Sequence, residues 1–333
     1  MDATVFMSVV ILHALNFVSS SPAHDYSHNA QRNTTQRYRR SGGYPKFPVG
    51  TDSGKKEEES ECGTRDVYHQ PSYSGKPVPK VVGGTAAPYG AYPWTVEIKA
   101  YRPNKRKFEH HCGGAVVGPR LVMTAAHCLQ NEQADQLRIV VGEHFIEQRD
   151  QYEKSFRVED VLIHPKFRKV GFYSNDIALL KVKPVGDQGI QFNSHVRSIC
   201  LPEQSTQSKE GAWCLVTGWG AQNPDDVESQ SQSLQVAAVS LLDLATCRRS
   251  DVYGGRHQDI LDSMVCAGVL EGGVDACGGD SGGPLACEVD GRFVLTGLVS
   301  WGDGCAKKNR PGVYTRISHY VDWLEQARKQ LGV

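Results

Sequence analysis

From Val81 onward the chain is built of short runs rich in β-branched and aliphatic residues, separated by glycine, proline and other turn-forming residues. These runs include LRIVVG, SFRVEDVLIH, DIALLKVKP, WCLVTGW, RFVLTGLVSW and GVYTRI. Strands of this length and spacing predict an all-β barrel or sandwich. The exception is the C-terminus, where Ile317, Val321 and Leu324 recur at helical spacing and predict a closing amphipathic helix.

The first 80 residues have a different character. The apolar run from Val5 to Val18 is too short for a comfortable membrane span and is followed by serines, which indicates a cleaved signal peptide over residues 1–20. A buried terminal helix is the alternative, and the absence of Lys or Arg before the run departs from the usual signal pattern. Residues 21–80 are polar and poor in aliphatics, which predicts a largely disordered propeptide or light chain.

Two short motifs in this segment concern processing. Asn33 opens an N-x-Thr sequon and is a candidate glycosylation site in a secreted chain. The run Arg37–Arg40 has the spacing of a convertase site, but a plain solvated basic run explains it equally well.

Cysteine usage and charge narrow the function classes. The ten cysteines include no C-x-x-C pair, so they favour disulfides in an oxidising compartment over a zinc ribbon or a thioredoxin-type site. The 37 basic residues balance the 37 acidic ones, and this neutrality gives no argument for binding nucleic acid or an anionic membrane. The sequence therefore predicts a secreted, extracellular protein.

The segment GDSGGP, Gly279 to Pro284, places a serine in a glycine-rich turn. It fits the G-x-S-x-G elbow, but an elbow leads from strand into helix and needs its acid and histidine after the serine. A strand-like run follows here, and only His319 lies downstream. A serine hydroxyl becomes an effective nucleophile when a base accepts its proton and a carboxylate orients that base. Upstream, TAAHC supplies His127 and DIALL supplies Asp176.

With TAAHC, DIALL and GDSGGP in this order, residues 81–333 resemble the chymotrypsin-fold, trypsin-like serine proteases. The resemblance implies an all-β fold of two packed antiparallel β-barrels with a C-terminal α-helix. It implies that His127 is the general base, that Asp176 orients it and that Ser281 attacks the scissile carbonyl. It also implies that the backbone N–H groups of Gly279 and Ser281 form the oxyanion hole.

The same resemblance implies a substrate pocket. Asp275 stands where trypsin-like enzymes place the carboxylate at the base of the primary pocket, so cleavage after Arg or Lys is implied. Ala276 replaces a serine found in many relatives, which should favour Arg over Lys. Pro311 stands where sodium-activated relatives carry an aromatic residue, so no sodium effect is expected. The full substrate-binding set implied is Asp275, Ala276, Ser300, Trp301, Gly302 and Gly312.

Activation by proteolysis is implied at PVPK-VVGG, where cleavage after Lys80 would free the amine of Val81 to pair with Asp280. The activating enzyme would itself be a tryptic protease, because the junction ends in lysine. By family pattern Cys62 and Cys200 tether the propeptide, which predicts a monomeric, disulfide-linked two-chain enzyme. The other pairs implied are Cys112–Cys128, Cys214–Cys287, Cys247–Cys266 and Cys277–Cys305.

Two further features have competing interpretations. Glu143, Asp150 and Glu153 stand where calcium-binding relatives carry acids, so either a structural calcium site or a solvated loop is expected, and no cofactor is required for the chemistry. The basic run from Arg102 to Lys107 is either an exosite for an acidic substrate or inhibitor, or a solvated hairpin.

Three function classes fit parts of the sequence. An active tryptic endopeptidase in an extracellular cascade is favoured by the intact triad, Gly279 and Asp275. Its expected partners are protein substrates with Arg or Lys at the cleavage site, an activating tryptic protease, and a serpin or other protease inhibitor. A catalytically silent homologue acting as a binding protein or cascade cofactor is the alternative. An esterase or lipase fails on residue order.

Overall fold

The computed structural model describes residues 62–71, 84–206, 209–223, 226–256 and 259–333. The predicted signal peptide, Asn33, the Arg37–Arg40 run and the Lys80–Val81 junction lie outside the described residues.

Six antiparallel strands in the first half of the described chain close into a barrel. The strands are β2 (Thr95–Arg102), β3 (Lys107–Gly118), β4 (Leu121–Thr124), β5 (Leu137–Val141), β6 (Lys154–Ile163) and β7 (Ala178–Val182). Around the barrel they follow the order β2-β3-β4-β7-β6-β5. Side chains alternate along β6, where Phe156 and Val158 are buried and their neighbours are exposed, as expected for a sheet with one solvated face.

Six further antiparallel strands form a second closed ring. The ring strands are β8 (Trp213–Gly218), β11 (Gln235–Leu242), β12 (Met264–Gly268), β13 (Pro284–Val289), β14 (Arg292–Trp301) and β15 (Gly312–Arg316). They follow the order β11-β12-β15-β14-β13-β8, and the pairing of β8 with β11 closes the ring. The short strand β1 (Thr85–Ala86) pairs with β11 at its edge, and β9 (Ala221–Asn223) forms a hairpin with β10 (Asp226–Gln230).

The chain closes with helix α2 (Val321–Leu331); a one-turn helix α1 (Leu244–Cys247) lies between β11 and β12. Leu324, Ala327 and Leu331 share the buried face of α2, and Gly332 ends the helix in the left-handed conformation. Ile317 lies in a preceding 3₁₀ turn rather than in the helix itself. The predicted fold of two antiparallel β-barrels with a C-terminal α-helix is confirmed.

The hydrophobic core has separate parts inside each barrel and a third part between them. The shared part takes Leu179 from the first barrel and Leu215 from the second, together with the fully buried rings of Trp94 and Trp219. Because this apolar layer holds the barrels against each other, loops from both meet along one seam. None of the helices in the described part of the chain is long and apolar enough to cross a bilayer.

Five disulfides join the cysteines in the same pairs that the family resemblance implies. Cys214 and Cys287 are direct partners across the β8–β13 ladder. The bonds are Cys62–Cys200, Cys112–Cys128, Cys214–Cys287, Cys247–Cys266 and Cys277–Cys305.

Candidate active site

Strand register brings His127 and Asp176 together. Strands β4 and β7 are antiparallel neighbours, with Thr124 opposite Ala178. His127 lies three residues beyond Thr124, in a 3₁₀ turn, and Asp176 lies two residues before Ala178, so both leave the same end of the ladder. Nδ1 of His127 is 2.8 Å from Oδ2 of Asp176, and the backbone N–H of His127 donates to Oδ1 at 2.8 Å.

Asp176 is completely buried and accepts two further hydrogen bonds from the second barrel. Ser300 donates from Oγ to Oδ2 of Asp176 at 2.5 Å, and Thr315 donates to its carbonyl oxygen at 2.7 Å. Ser300, predicted within the substrate-binding set, therefore directs its hydroxyl at the carboxylate that orients His127. A buried carboxylate held by several donors keeps its geometry, which favours a fixed orientation of the imidazole.

Ser281 comes from the loop that leads into β13 of the second barrel, and that loop is anchored on the first barrel. The N–H of Gly113 donates to the carbonyl of Ser281 at 2.8 Å. Sγ of Cys128 lies 3.6 Å from the same carbonyl oxygen and 3.9 Å from Nε2 of His127. The serine backbone and the edge of the histidine ring therefore border one disulfide, and the site lies on the seam between the barrels.

Gly279 has a backbone conformation that favours glycine, with φ at +98°. A Cβ at this position would lie 3.1 Å from Cα of Gly220. Its carbonyl oxygen is 2.9 Å from Nε2 of His110, whose side chain is buried. The predicted oxyanion loop is thus packed against both Gly220 and His110.

Asp275 is buried at the floor of the predicted pocket. Oδ2 accepts a hydrogen bond from the N–H of Ala306 at 3.2 Å, whereas Oδ1 has no hydrogen-bond partner among the described residues. Burial raises the pKa of this carboxyl to about 7, against the opposing effect of the backbone donors around it. A Cβ on Gly312 would lie 2.8 Å from Oδ1, so only glycine at 312 leaves room for the buried carboxylate.

Aromatic rings form one wall beside the histidine. Tyr173 contacts His127 edge-on, with ring centroids 6.0 Å apart, and stacks on Trp301 at 5.9 Å. Trp301 also contacts Tyr253 at 5.1 Å. Gly302 follows on the same edge, where an added Cβ would meet the carbonyl oxygen of Gly304 at 3.2 Å.

Three residues of the site were not predicted from the sequence. They are His110, next to Cys112; Tyr173, three residues before Asp176; and Tyr314, whose buried hydroxyl lies at the pocket floor near Gly312. Burial raises the pKa of Tyr314 well above its usual value. Each stands close to a recognised motif, but their contacts come from other elements, so proximity along the chain was the one available signal.

Asp280 is buried between two glycines of the Gly218–Gly220 segment. Oδ1 accepts from the N–H of Gly220 at 2.8 Å and Oδ2 from the N–H of Cys277 at 2.9 Å. A Cβ on Gly218 or Gly220 would lie within 2.5 Å of its carboxylate oxygens. Burial raises the pKa of Asp280, and these two donors and the nearby His110 partly offset the effect.

The three acids of the predicted calcium loop each have a partner within the chain. Glu143 lies 3.4 Å from Nζ of Lys99, Asp150 accepts from the N–H of His144 at 2.6 Å, and Glu153 accepts from the N–H of Asp150 at 3.1 Å. Among the described residues the three acids do not converge within ligand distance of one another. Calcium binding therefore stays a prediction, for which these contacts supply no ligand set.

Much of the predicted basic exosite is paired. Lys105 and Lys107 both contact Glu109, at 2.9 and 3.0 Å, and Arg102 contacts Glu132 at 2.9 Å. The two lysines are more than half exposed. The exosite remains a prediction.

Known proteins with similar sequences cover the same region. The family model described as Trypsin matches residues 81–324. The urokinase-type plasminogen activator of Gallus gallus is 38% identical over 252 residues, which is 74% of this chain and 57% of that protein. The hepatocyte growth factor activator serine proteases of Canis lupus familiaris and Homo sapiens are 37% and 35% identical, over 74% of this chain and 36% of theirs.

The chain thus spans between about one third and three fifths of the length of these relatives. The family match covers well over half of the chain and includes both barrels, the His127–Asp176 pair and the Ser281 loop. The chain therefore belongs to the family of trypsin-like serine proteases.

Proposed function

We propose that this protein is secreted as a zymogen, is activated by cleavage after Lys80, and then hydrolyses peptide bonds after arginine or lysine in an extracellular cascade. The observation that carries the proposal is that the structure contains both the His127–Asp176 dyad and a buried acid, Asp275. Oδ1 of this acid has no hydrogen-bond partner among the described residues. The dyad supplies a base for Ser281, and the acid supplies a site for a substrate cation.

The proposed reaction moves protons through His127. Oγ of Ser281 attacks the scissile carbonyl carbon as Nε2 of His127 accepts the hydroxyl proton, and Asp176 stabilises the imidazolium. The N–H groups of Gly279 and Ser281 donate to the oxyanion of the tetrahedral intermediate. The C–N bond then breaks as His127 returns the proton to the leaving amine, and water attacks the acyl-enzyme by the same route to release the acid.

Recognition of arginine follows from the electrostatics of Asp275. A buried carboxylate without a counter-charge is costly, and the raised pKa of Asp275 reflects that cost. A guanidinium entering the pocket would supply both a positive charge and donors for Oδ1. Ala276 next to it provides no hydroxyl, which favours the many-donor guanidinium over an ammonium.

Activation is proposed to act through Asp280. An unpaired carboxylate at this depth costs several kcal/mol, so an ammonium released at Val81 would be drawn to it. Asp280 lies between Gly279 and Ser281, and the insertion would thereby organise the oxyanion loop. Lys80 itself would be cut by another tryptic enzyme or by a second copy of this one.

The light chain is proposed to remain attached after activation. Besides the Cys62–Cys200 bond, Gly63 exchanges backbone hydrogen bonds with the body of the protein, to Ser198 and from Phe293. Arg197 binds both carboxylate oxygens of Asp66, at 2.9 and 2.8 Å. These contacts support the proposal of a disulfide-linked two-chain monomer.

A regulatory role is supported by the relatives, which are named as activators of plasminogen and of hepatocyte growth factor. The proposed partners are protein substrates with an exposed Arg or Lys, an activating tryptic protease and a protease inhibitor. Secretion is supported by the five disulfides and by the N-terminal signal pattern.

The test is to cut the purified chain at Lys80 and measure hydrolysis of a chromogenic peptide ending in arginine, with Ser281→Ala as the control. The cut wild type should turn over the peptide and the variant should not. A cut wild type without activity would favour the alternative, a catalytically silent homologue that acts by binding.

A further inference from the structure

A buried line of charged side chains begins at the oxyanion loop and runs into the first barrel. His110, on β3, places Nε2 2.9 Å from the carbonyl oxygen of Gly279. On its other edge, Nδ1 lies 3.2 Å from Oε1 of Glu97 on β2. The side chains of Glu97 and His110 are 0% and 3% exposed, and both distances are those of direct contacts.

The two partners of His110 determine its protonation. A carbonyl oxygen can only accept a hydrogen bond, so Nε2 carries a hydrogen, and the carboxyl group of Glu97 beside Nδ1 favours a second hydrogen there. Burial by itself would lower the pKa of His110, but the hydrogen bond and charge of Glu97, the Gly279 carbonyl and the charge of Asp280 outweigh it and raise the pKa. Geometry and electrostatics therefore agree on a charged ring.

Glu97 is held from the opposite side by Lys99. Nζ of Lys99 lies 3.1 Å from Oε2 of Glu97. The β2–β3 ladder shifts by one residue at this point, pairing Ile98 with Cys112 but Lys99 with His110. A bulge of this kind re-aims side chains locally. A fully buried glutamate is costly without partners. Here His110 lies at one carboxylate oxygen and Lys99 at the other, and Lys99 is shared with Glu143 at 3.4 Å.

We propose that Glu97 is a positioning residue for the oxyanion hole, acting through His110 on the carbonyl of Gly279. Holding this carbonyl orients the peptide that lies between the two N–H donors, those of Gly279 and Ser281. Donors aimed in advance at the developing oxyanion lower the barrier, whereas mobile donors must be ordered during the reaction. The proposal rests on the proposed function, because it needs Gly279 and Ser281 to act as the oxyanion hole.

The test compares Glu97→Gln with wild type, both full-length and cut at Lys80. Glutamine keeps the shape and one acceptor but removes the charge that holds the imidazolium. Because the donors are loosened rather than removed, kcat should fall about tenfold, below the 10²–10³ typical of a lost donor, with KM within about twofold. The matched control is Glu109→Gln, which removes an acid next to His110 that pairs with Lys105 and Lys107 and should leave kcat unchanged.

Two inhibitors separate positioning from general damage. A peptide aldehyde ending in arginine forms the tetrahedral oxyanion, so its affinity for Glu97→Gln should fall in proportion to kcat/KM. Benzamidine occupies only the primary pocket, and its affinity should stay the same. Wild-type kcat in Glu97→Gln would overturn the proposal, and so would an equal loss for both inhibitors, since that pattern means collapse of the whole pocket.

A second variant keeps the proposal testable if Glu97→Gln does not fold. Glu97→Asp keeps the charge but withdraws it by one methylene from His110, so it should show the same selective loss of kcat and aldehyde affinity. Unchanged values in this variant would equally overturn the proposal. An inactive wild type after cleavage would instead overturn the proposed function itself, which distinguishes the two failures.

Discussion

At the scale of single residues, the specificity pocket depends on the charge of Asp275. Its surroundings are apolar enough to raise its pKa to about 7, and its Oδ1 lacks a hydrogen-bond partner among the described residues. The carboxyl group of Asp275 therefore titrates within the physiological range in the free enzyme. Only the ionised form can pair with a cation, so cation binding and proton release are linked.

Benzamidine affinity should consequently depend on pH. Below about pH 7 Asp275 is protonated in the free enzyme, and each further pH unit should weaken binding by up to about tenfold. Above pH 7 the affinity should be constant until other groups titrate. Equilibrium titration between pH 5 and 8 measures this without catalysis. Asp275→Asn should bind weakly at every pH, and a flat wild-type profile would contradict the pKa of this residue.

At the scale of elements, β13 joins two turns with different roles. At its start Gly282 has φ of +77°, and a Cβ there would lie 2.1 Å from Oγ1 of Thr124. At its end Asp290 and Gly291 form the two-residue connection to β14, and a Cβ on Gly291 would meet nothing within 4 Å. Both glycines have positive φ, but only the first is pressed against another element.

Alanine substitutions at Gly282 and Gly291 should distinguish the effect of backbone strain from the effect of displacing the Ser281 loop. Either substitution costs on the order of 1 kcal/mol of stability through its positive φ. Gly282→Ala should in addition push the Ser281 loop away from β4 and reduce kcat at least about tenfold, in line with the cost of misplacing catalytic groups. Gly291→Ala should leave kcat unchanged. Thermal unfolding and active-site titration measure the two effects, and equal kcat values would show that the loop absorbs the added methyl group.

At the scale of the whole molecule, the segment 62–71 binds the catalytic body by more than its disulfide. Arg65 lies over the ring of Phe293 at 4.7 Å, and Arg197 pairs with Asp66. Gly63 approaches Phe293 so closely that a Cβ would lie 2.3 Å from its carbonyl oxygen. The segment is therefore packed as part of the molecule.

Removing the Cys62–Cys200 bond tests whether this packing alone holds the two chains together. The double variant Cys62→Ser/Cys200→Ser should lose about 2–5 kcal/mol of stability in the uncut chain. After cleavage at Lys80 its two chains should co-elute in gel filtration at high concentration and separate on dilution. The cut wild type should stay together until it is reduced. A cut wild type whose chains separate without reductant would contradict the two-chain proposal.

Much of the site was predictable from residues near one another in the sequence. His127, Asp176, Ser281 and Asp275 each stand in a short motif, because each needs a particular local turn or strand end. Tyr173, Tyr314 and His110 were not predicted. Tyr173 contacts His127 and Trp301, and His110 contacts Gly279, all of which are distant in the sequence. The β4–β7 register that brings His127 to Asp176 and the β2–β3 bulge beside His110 depend on side-chain packing across the barrel.

The sequence by itself determined the strand-rich class, the terminal helix, the order of the catalytic motifs and the family, because these follow from local periodicity and short-range residue types. Only the tertiary structure decided which residues of the two barrels meet: Ser300 hydrogen-bonds to Asp176, and Glu97 reaches Gly279 through His110. Those outcomes join residues far apart in the chain. Their geometry is set by how two apolar cores pack against each other, and no local pattern encodes that packing.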